Sequence, residues 1–271
     1  MSGDGPRTWD HAVGRLRPTT GHGKESEHRE QERRPWSCDS YVAQRDATAA
    51  GGLIFGKNSD RPAGEAQPLR LIPAREKGDA LQLAYASIPD EPAYAHLGAA
   101  PFWCWGCEFG VNEHDVAIGN EAQFTRSWAE NVQHAGNGNS PAGGILGIEL
   151  VRLGLERGRS ARAALDVMTS LLERHGQWGS RLFGKDPVEG SYDNSYLIAD
   201  PYDAWVLETC GREWVARQIR SGICSISNEP SIRTEYDLCS AGLLATAQAR
   251  GWTSPDAPFD YASAIPIPGH R

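Results

Sequence analysis

The sequence predicts an α+β fold in which two antiparallel sheets stack face to face between helical layers. Three observations point there. Short strand-like runs separated by turn residues begin at Cys38, two amphipathic helices occupy the middle of the chain, and a second cluster of strand-like runs follows them.

The elements follow in order. Residues 1–37 are polar, carry charge of both signs and contain few large apolar side chains. Such a segment buries too little surface to offset its chain entropy, so it is expected to be a disordered leader. It reads either as a propeptide or as upstream sequence joined to the gene product. Ser40–Gln44 and Leu53–Gly56, joined through Ala49-Ala50-Gly51-Gly52, predict a hairpin. Leu81–Ile88 and Val116–Asn120 are further strands, and residues 137–141 form a loop. Helices are expected over about Gly144–Arg157 and over Ala161–His175. In the second, Ala164, Leu165, Met168, Leu171 and Leu172 recur at helical spacing behind Ser160 as N-cap. Ser195–Ala199, Trp205–Glu208, Trp214–Ile219 and Cys224–Ser227 make the second strand cluster. The globular domain therefore spans 38–262, with 263–271 as a flexible tail.

Composition narrows the function. The 271 residues carry a formal charge of -8, with 39% hydrophobic and 23% charged side chains. An acidic balance argues against a protein held on nucleic-acid phosphates. No apolar run reaches the roughly 20 residues of a membrane helix, and the leader lacks the apolar centre of a secretory signal. Six cysteines over this length do not form a disulfide framework, so reduced thiols and a cytoplasmic setting are expected.

Cys38 is the most informative residue. A cysteine in a strand is more often a small buried hydrophobe than a reactive group. This one stands where the leader meets the patterned domain, is followed by Asp39 and Ser40, and faces a later Lys57-Asn58-Ser59-Asp60 cluster across the hairpin. That arrangement suits an N-terminal nucleophile, whose own α-amine, freed by cleavage, acts as base. An α-amine with a pKa of about 7.7–8.0 and a thiol of about 8.5 exchange a proton readily near neutrality. Asp60 is expected to fix the ammonium and Lys57 to favour the thiolate. Asn120 and Asn228 each end a strand, where a side-chain N–H can meet a developing oxyanion. Either asparagine alone equally suits an ordinary turn. Cys104-Trp105-Gly106-Cys107 has no second pair at zinc-site spacing and no βαβ context for redox chemistry, so no metal and no cofactor are expected.

Taken together, Cys38-Asp39-Ser40, Phe55-Gly56-Lys57-Asn58-Ser59-Asp60-Arg61-Pro62, Trp103-Cys104-Trp105-Gly106, Gly110-Val111-Asn112-Glu113-His114, Ile118-Gly119-Asn120-Glu121, the 150–157 segment and Ala204-Trp205-Val206-Leu207-Glu208-Thr209 resemble the secernins. These belong with the cysteine dipeptidases of the N-terminal nucleophile hydrolases. The resemblance runs from Cys38 to about Tyr261. It implies an αββα sandwich, here incomplete at its C-terminal side, and amide-bond hydrolysis without a metal. By similarity to the related acylases it implies Cys38 as nucleophile, Lys57 in place of an arginine, Asp60 as the conserved type of aspartate, and Asn120 and Asn228 as oxyanion and amine-orienting residues. Lysine keeps the charge of arginine but not its planar fork.

The expected function is a cysteine dipeptidase acting through a thioester on a small peptide or amide substrate. Two alternatives stay open: an acylase acting on non-peptide amides, and a non-catalytic interaction protein. The expected partners exclude nucleic acid and membrane insertion and include a second copy of the chain.

Overall fold

In a computed structural model, residues 38–139, 143–180, 186 and 188–268 are described. The expected leader lies outside them. The strands are β1 (Asp39–Ala43), β2 (Ile54–Asn58), β3 (Leu69–Ile72), β4 (Ala80–Gln82), β5 (Ser87–Pro89), β6 (His96–Ala99), β7 (Phe109–Asn112) and β8 (Ala117–Gln123). Helices α1 (Arg126–Gly136), α2 (Gly147–Arg157) and α3 (Ala161–His175) follow, then β9 (Asp193–Ala199), β10 (Ala204–Cys210), β11 (Glu213–Gln218), β12 (Ile223–Ile226) and β13 (Leu238–Cys239). Short helices α4 (Leu243–Ala249) and α5 (Tyr261–Ala264) close the described chain.

Two antiparallel sheets carry the architecture, as the fold class predicted. One has eight strands in the order β13-β11-β10-β9-β8-β7-β6-β3, and the other three in the order β12-β1-β2. The β1–β2 hairpin forms with Ser40 opposite Lys57 and Val42 opposite Phe55. Gly51, at φ 68°, supplies the left-handed turn residue in its connection. The fourth strand of the C-terminal cluster leaves the large sheet. β12 pairs with β1, with Ser40 opposite Ile226, which brings the C-terminal strand cluster beside the first strand of the domain.

The central strands β8 to β11 of the large sheet are largely buried on both faces, whereas Leu69 and Leu71 of β3 and Val111 of β7 are exposed, and the period of two sorts the central strands into two cores. Tyr196, Ile198, Trp205, Leu207, Trp214 and Ala216 pack against α2 and α3. Their neighbours Leu197, Ala199, Val206 and Val215 pack against Val42 and Ile226 of the small sheet and against α4 and α5. At roughly 25 cal/mol per Å² of apolar area, these two layers dominate the stability of the fold. On the outer face of the small sheet, Tyr41, Ile54 and Ile223 are exposed, so the described residues form no second helical layer there.

Several elements differ from expectation. Leu81–Ile88 is not one strand but the β4–β5 hairpin, turned between Gln82 and Ser87. The first amphipathic helix starts at Gly147 rather than Gly144, because Ile145 pairs instead with Gln177. The expected flexible tail is docked over its described part: Ile265 is fully buried, and Pro266 bridges Thr125. Strands β3, β6 and β7 and helix α1 were not expected. No described helix is long and apolar enough to cross a membrane.

Candidate active site

Cys38 immediately precedes β1 and is only partly exposed. Both its backbone nitrogen and its sulfur are held. Its backbone N–H donates to Asn228 Oδ1 at 2.7 Å. Its Sγ accepts from the backbone N–H of Asp60 at 3.3 Å, within reach for a sulfur acceptor. Asn228, just beyond β12, passes its own amide hydrogen to the Ala122 carbonyl of β8 at 2.8 Å. The three-stranded sheet is thereby tied to the large sheet at the cysteine.

Cys38, Asp60, Asn120 and Asn228 line one cleft, together with Arg61, Glu108, Ala122, Phe124 and Tyr192. Asn120 belongs to β8, and its Nδ2 donates to Asn194 Oδ1 at 2.9 Å. Asn194 Nδ2 donates in turn to Gln177 Oε1, and Gln177 Nε2 donates to Thr209 Oγ1, both at 2.9 Å. All four side chains are buried, so this chain of amides fixes the Asn120 carboxamide.

Lys57 sits on the inner face of the small sheet, between the sheets rather than in the cleft lining. Its Nζ donates to the Asn120 carbonyl at 2.6 Å and lies 3.0 Å from Glu121 Oε2. Gly119 makes room for it, since a Cβ there would come within 2.9 Å of Lys57 Cδ and 3.0 Å of Ser40 Oγ. Ser40 Oγ donates to Glu121 Oε1 at 2.5 Å. Burial pushes the Glu121 carboxyl up to about 7, against the pull of Lys57 and Ser40. The Cys38 thiol is also raised, because burial outweighs the Lys57 charge and the Asp60 N–H. The Lys57 charge pulls the thiol down, but burial is the larger influence.

Sequence reasoning did not find Glu121, Arg61, Glu108, Tyr192 or Asn194. Arg61 Nη1 lies 2.8 Å from Glu108 Oε1, and its Nη2 lies 2.6 Å from Glu65 Oε1. The polar run Tyr192-Asp193-Asn194 ahead of the apolar Tyr196-Leu197-Ile198 was the available signal. Elsewhere, burial pushes the Cys104 and Cys107 thiols up to about 12 and about 11. Both suit packing better than metal or redox chemistry.

The sequence profile of Peptidase family C69 matches residues 37–249. A dipeptidase of Bifidobacterium longum (strain NCC 2705) is 25% identical over 201 residues, covering 68% of this chain and 35% of the relative. The chain thus spans about a third of that protein's length. Among solved structures, a mutant conjugated bile acid hydrolase from Clostridium perfringens gives a TM-score of 0.47 at 12% identity, covering 83% of this chain and 63% of that one. A Caenorhabditis elegans ortholog of N-acylethanolamine-hydrolyzing acid amidase gives 0.39 at 13%, covering 72% and 71%. With the profile covering most of the chain from the residue before Cys38, this protein belongs to peptidase family C69.

Proposed function

We propose that this chain is a cysteine-type dipeptidase whose nucleophile and base both belong to Cys38. The observation that carries the reading is the clamp on that residue, with the nitrogen on Asn228 at 2.7 Å and the sulfur on the Asp60 N–H at 3.3 Å. Cleavage of the 37–38 peptide bond converts the held nitrogen into an α-amine, whose pKa of about 7.7–8.0 suits a general base at neutral pH.

In the proposed reaction, the amine takes the thiol proton as Sγ attacks the scissile carbonyl carbon. The resulting oxyanion is met by Asn120, held in place through Asn194. Loss of one such donor costs about 2.7–4 kcal/mol of transition-state stabilisation. The ammonium then returns its proton to the leaving amine as the C–N bond breaks, leaving a thioester. Water, deprotonated by the same amine, hydrolyses the thioester and regenerates the thiol. Asn228 orients the amine throughout. Lys57 acts from between the sheets, by its charge and through the Asn120 carbonyl.

Intact-mass measurement and assay against a dipeptide panel beside acyl-amides test the reading. A mature form beginning at Cys38 that cleaves dipeptides is expected, with turnover abolished in Cys38→Ser. Turnover of acyl-amides alone points to an acylase instead. Full activity in Cys38→Ser, or in a species retaining the leader, rejects the mechanism.

A further inference from the structure

A second cavity, of about 340 Å³, shares no lining residue with the nucleophile's cleft and takes no part in the proposed reaction. Its volume is that of a small-molecule site. Consecutive residues of its wall, Arg212 and Glu213, carry opposite charges, and among the described residues neither has a counter-ion. Arg212 stands in the turn between β10 and β11. Its Nη1 donates to the Glu173 and Arg174 carbonyls at the end of α3, both at 2.7 Å, which leaves Nε and Nη2 for another acceptor. The Glu213 carboxylate accepts from Ser240 Oγ at 2.5 Å and from Thr246 Oγ at 3.0 Å. Two hydroxyls hold it in place without neutralising it. Arg250, the other cation on this wall, is already paired with Glu130.

A freely moving surface charge gains little from a partner, because ordering it costs entropy. Here both charges are ordered before any ligand arrives, so one small molecule carrying an anion and a cation gains at both ends. Buried Trp252 adds an apolar wall to the same cavity.

The turn that presents these charges also anchors the amide chain behind Asn120. Gln177, which lines the cavity, donates from Nε2 to the Gly211 carbonyl at 3.1 Å. Its Oε1 accepts from Asn194, whose Oδ1 accepts from Asn120. Three hydrogen bonds thus lead from the residue beside Arg212 to the side chain proposed to meet the oxyanion. Gln177, Asn194 and Asn120 are all buried, so a shift of the turn is passed on through packed, directional contacts.

Resting on the hydrolase reading above, we infer that this cavity is an effector site for a free apolar α-amino acid, whose carboxylate meets Arg212 and whose ammonium meets Glu213, and that its occupancy slows the reaction at Cys38 by displacing Asn120. Free amino acids are what a dipeptidase releases, so the site reads the enzyme's own product.

The test measures calorimetric binding of leucine to the mature protein, and alanylalanine kinetics with and without added leucine. Binding is expected to weaken by about tenfold or more in Arg212→Ala and in Glu213→Gln, which keeps acceptors for both hydroxyls. N-acetylleucine, which lacks the ammonium, is expected to bind wild type more weakly and to lose nothing further in Glu213→Gln. Leucine is expected to lower wild-type kcat by about threefold or more, whereas product competing at Cys38 raises KM alone. Both variants are expected to keep their basal kcat and lose this response. No binding, binding that survives both substitutions, or an effect on KM alone overturns the inference. Charge-dependent binding of leucine by a protein that hydrolyses no peptide overturns the hydrolase reading alone.

Discussion

Lys57 Nζ lies 3.0 Å from Glu121 Oε2, with neither side chain exposed to solvent, and the pair lies directly beneath the Asn120 carbonyl that Lys57 also binds. This places an ion pair between two sheets, where each charge depends on the other. A buried pair of this kind contributes little net stability, yet removing one partner is expensive.

Lys57→Met is accordingly expected to destabilise the protein by about 3–5 kcal/mol at pH 8, where Glu121 is left as an unpaired buried carboxylate. The loss is expected to shrink at pH 5, because a carboxyl already raised to about 7 takes up a proton there. Urea unfolding at both pH values measures this. The double variant Lys57→Met with Glu121→Gln is expected to recover much of the loss at pH 8. Equal destabilisation at both pH values would show that the lysine acts through packing instead.

Gly147 opens α2 against the amide chain behind Asn120. A Cβ at that position would come within 2.0 Å of Asn194 Oδ1. Alanine is favoured over glycine in a helix by about 1 kcal/mol, which is too little to offset a clash with a buried, hydrogen-bonded side chain. Gly147→Ala is therefore expected to lower stability and to cut kcat by about tenfold or more through displaced Asn194 and Asn120. Thermal unfolding with dipeptide kinetics checks it. A more stable protein with unchanged kcat removes Asn194 from the positioning of Asn120.

Asp193 gives the pH dependence a second source. Its carboxylate accepts from the Thr125 hydroxyl and from the Gly211 N–H, with no cation paired to it among the described residues, and burial pushes it up to about 7. A folded-state value above the unfolded one means that the folded protein holds the proton more tightly. The stabilisation is full below the unfolded value of about 4 and is lost as pH rises through about 7, by up to about 4 kcal/mol. Asp193→Asn is expected to flatten the fall in thermal stability between pH 5 and 8, leaving the smaller part due to Glu121. An unchanged slope places the titration elsewhere.

Much of the candidate site was readable in the chain because its signals are local. Cys38 marks a change of composition, and Lys57 and Asp60 end a strand that a hairpin must lay beside it. Asn120 and Asn228 stand near the ends of apolar runs. The helix over Ala161–His175 followed from periodicity alone, capped by Ser160, whose Oγ accepts the Ala163 N–H at 3.2 Å.

What the chain did not reveal depends on partners far away in sequence. Gly119-Asn120-Glu121 has the composition of a turn, yet β8 runs on through Gln123 because β9 supplies a full ladder, with Glu121 opposite Ser195. Turn preference is local and weak, and a buried ladder overrides it. Phe109-Gly110-Val111-Asn112 lacks the alternation of a half-buried strand. Its glycine is instead required by close packing, since a Cβ at Gly110 would come within 2.6 Å of the Leu97 carbonyl. The same holds for charge. That Glu121 neutralises Lys57, and that Arg61 is shared between Glu65 and Glu108, are facts of two sheets brought face to face. Sequence determined which groups are available for chemistry; tertiary packing decided which charges are buried together, because the cost of removing a charge from water is set by what surrounds it.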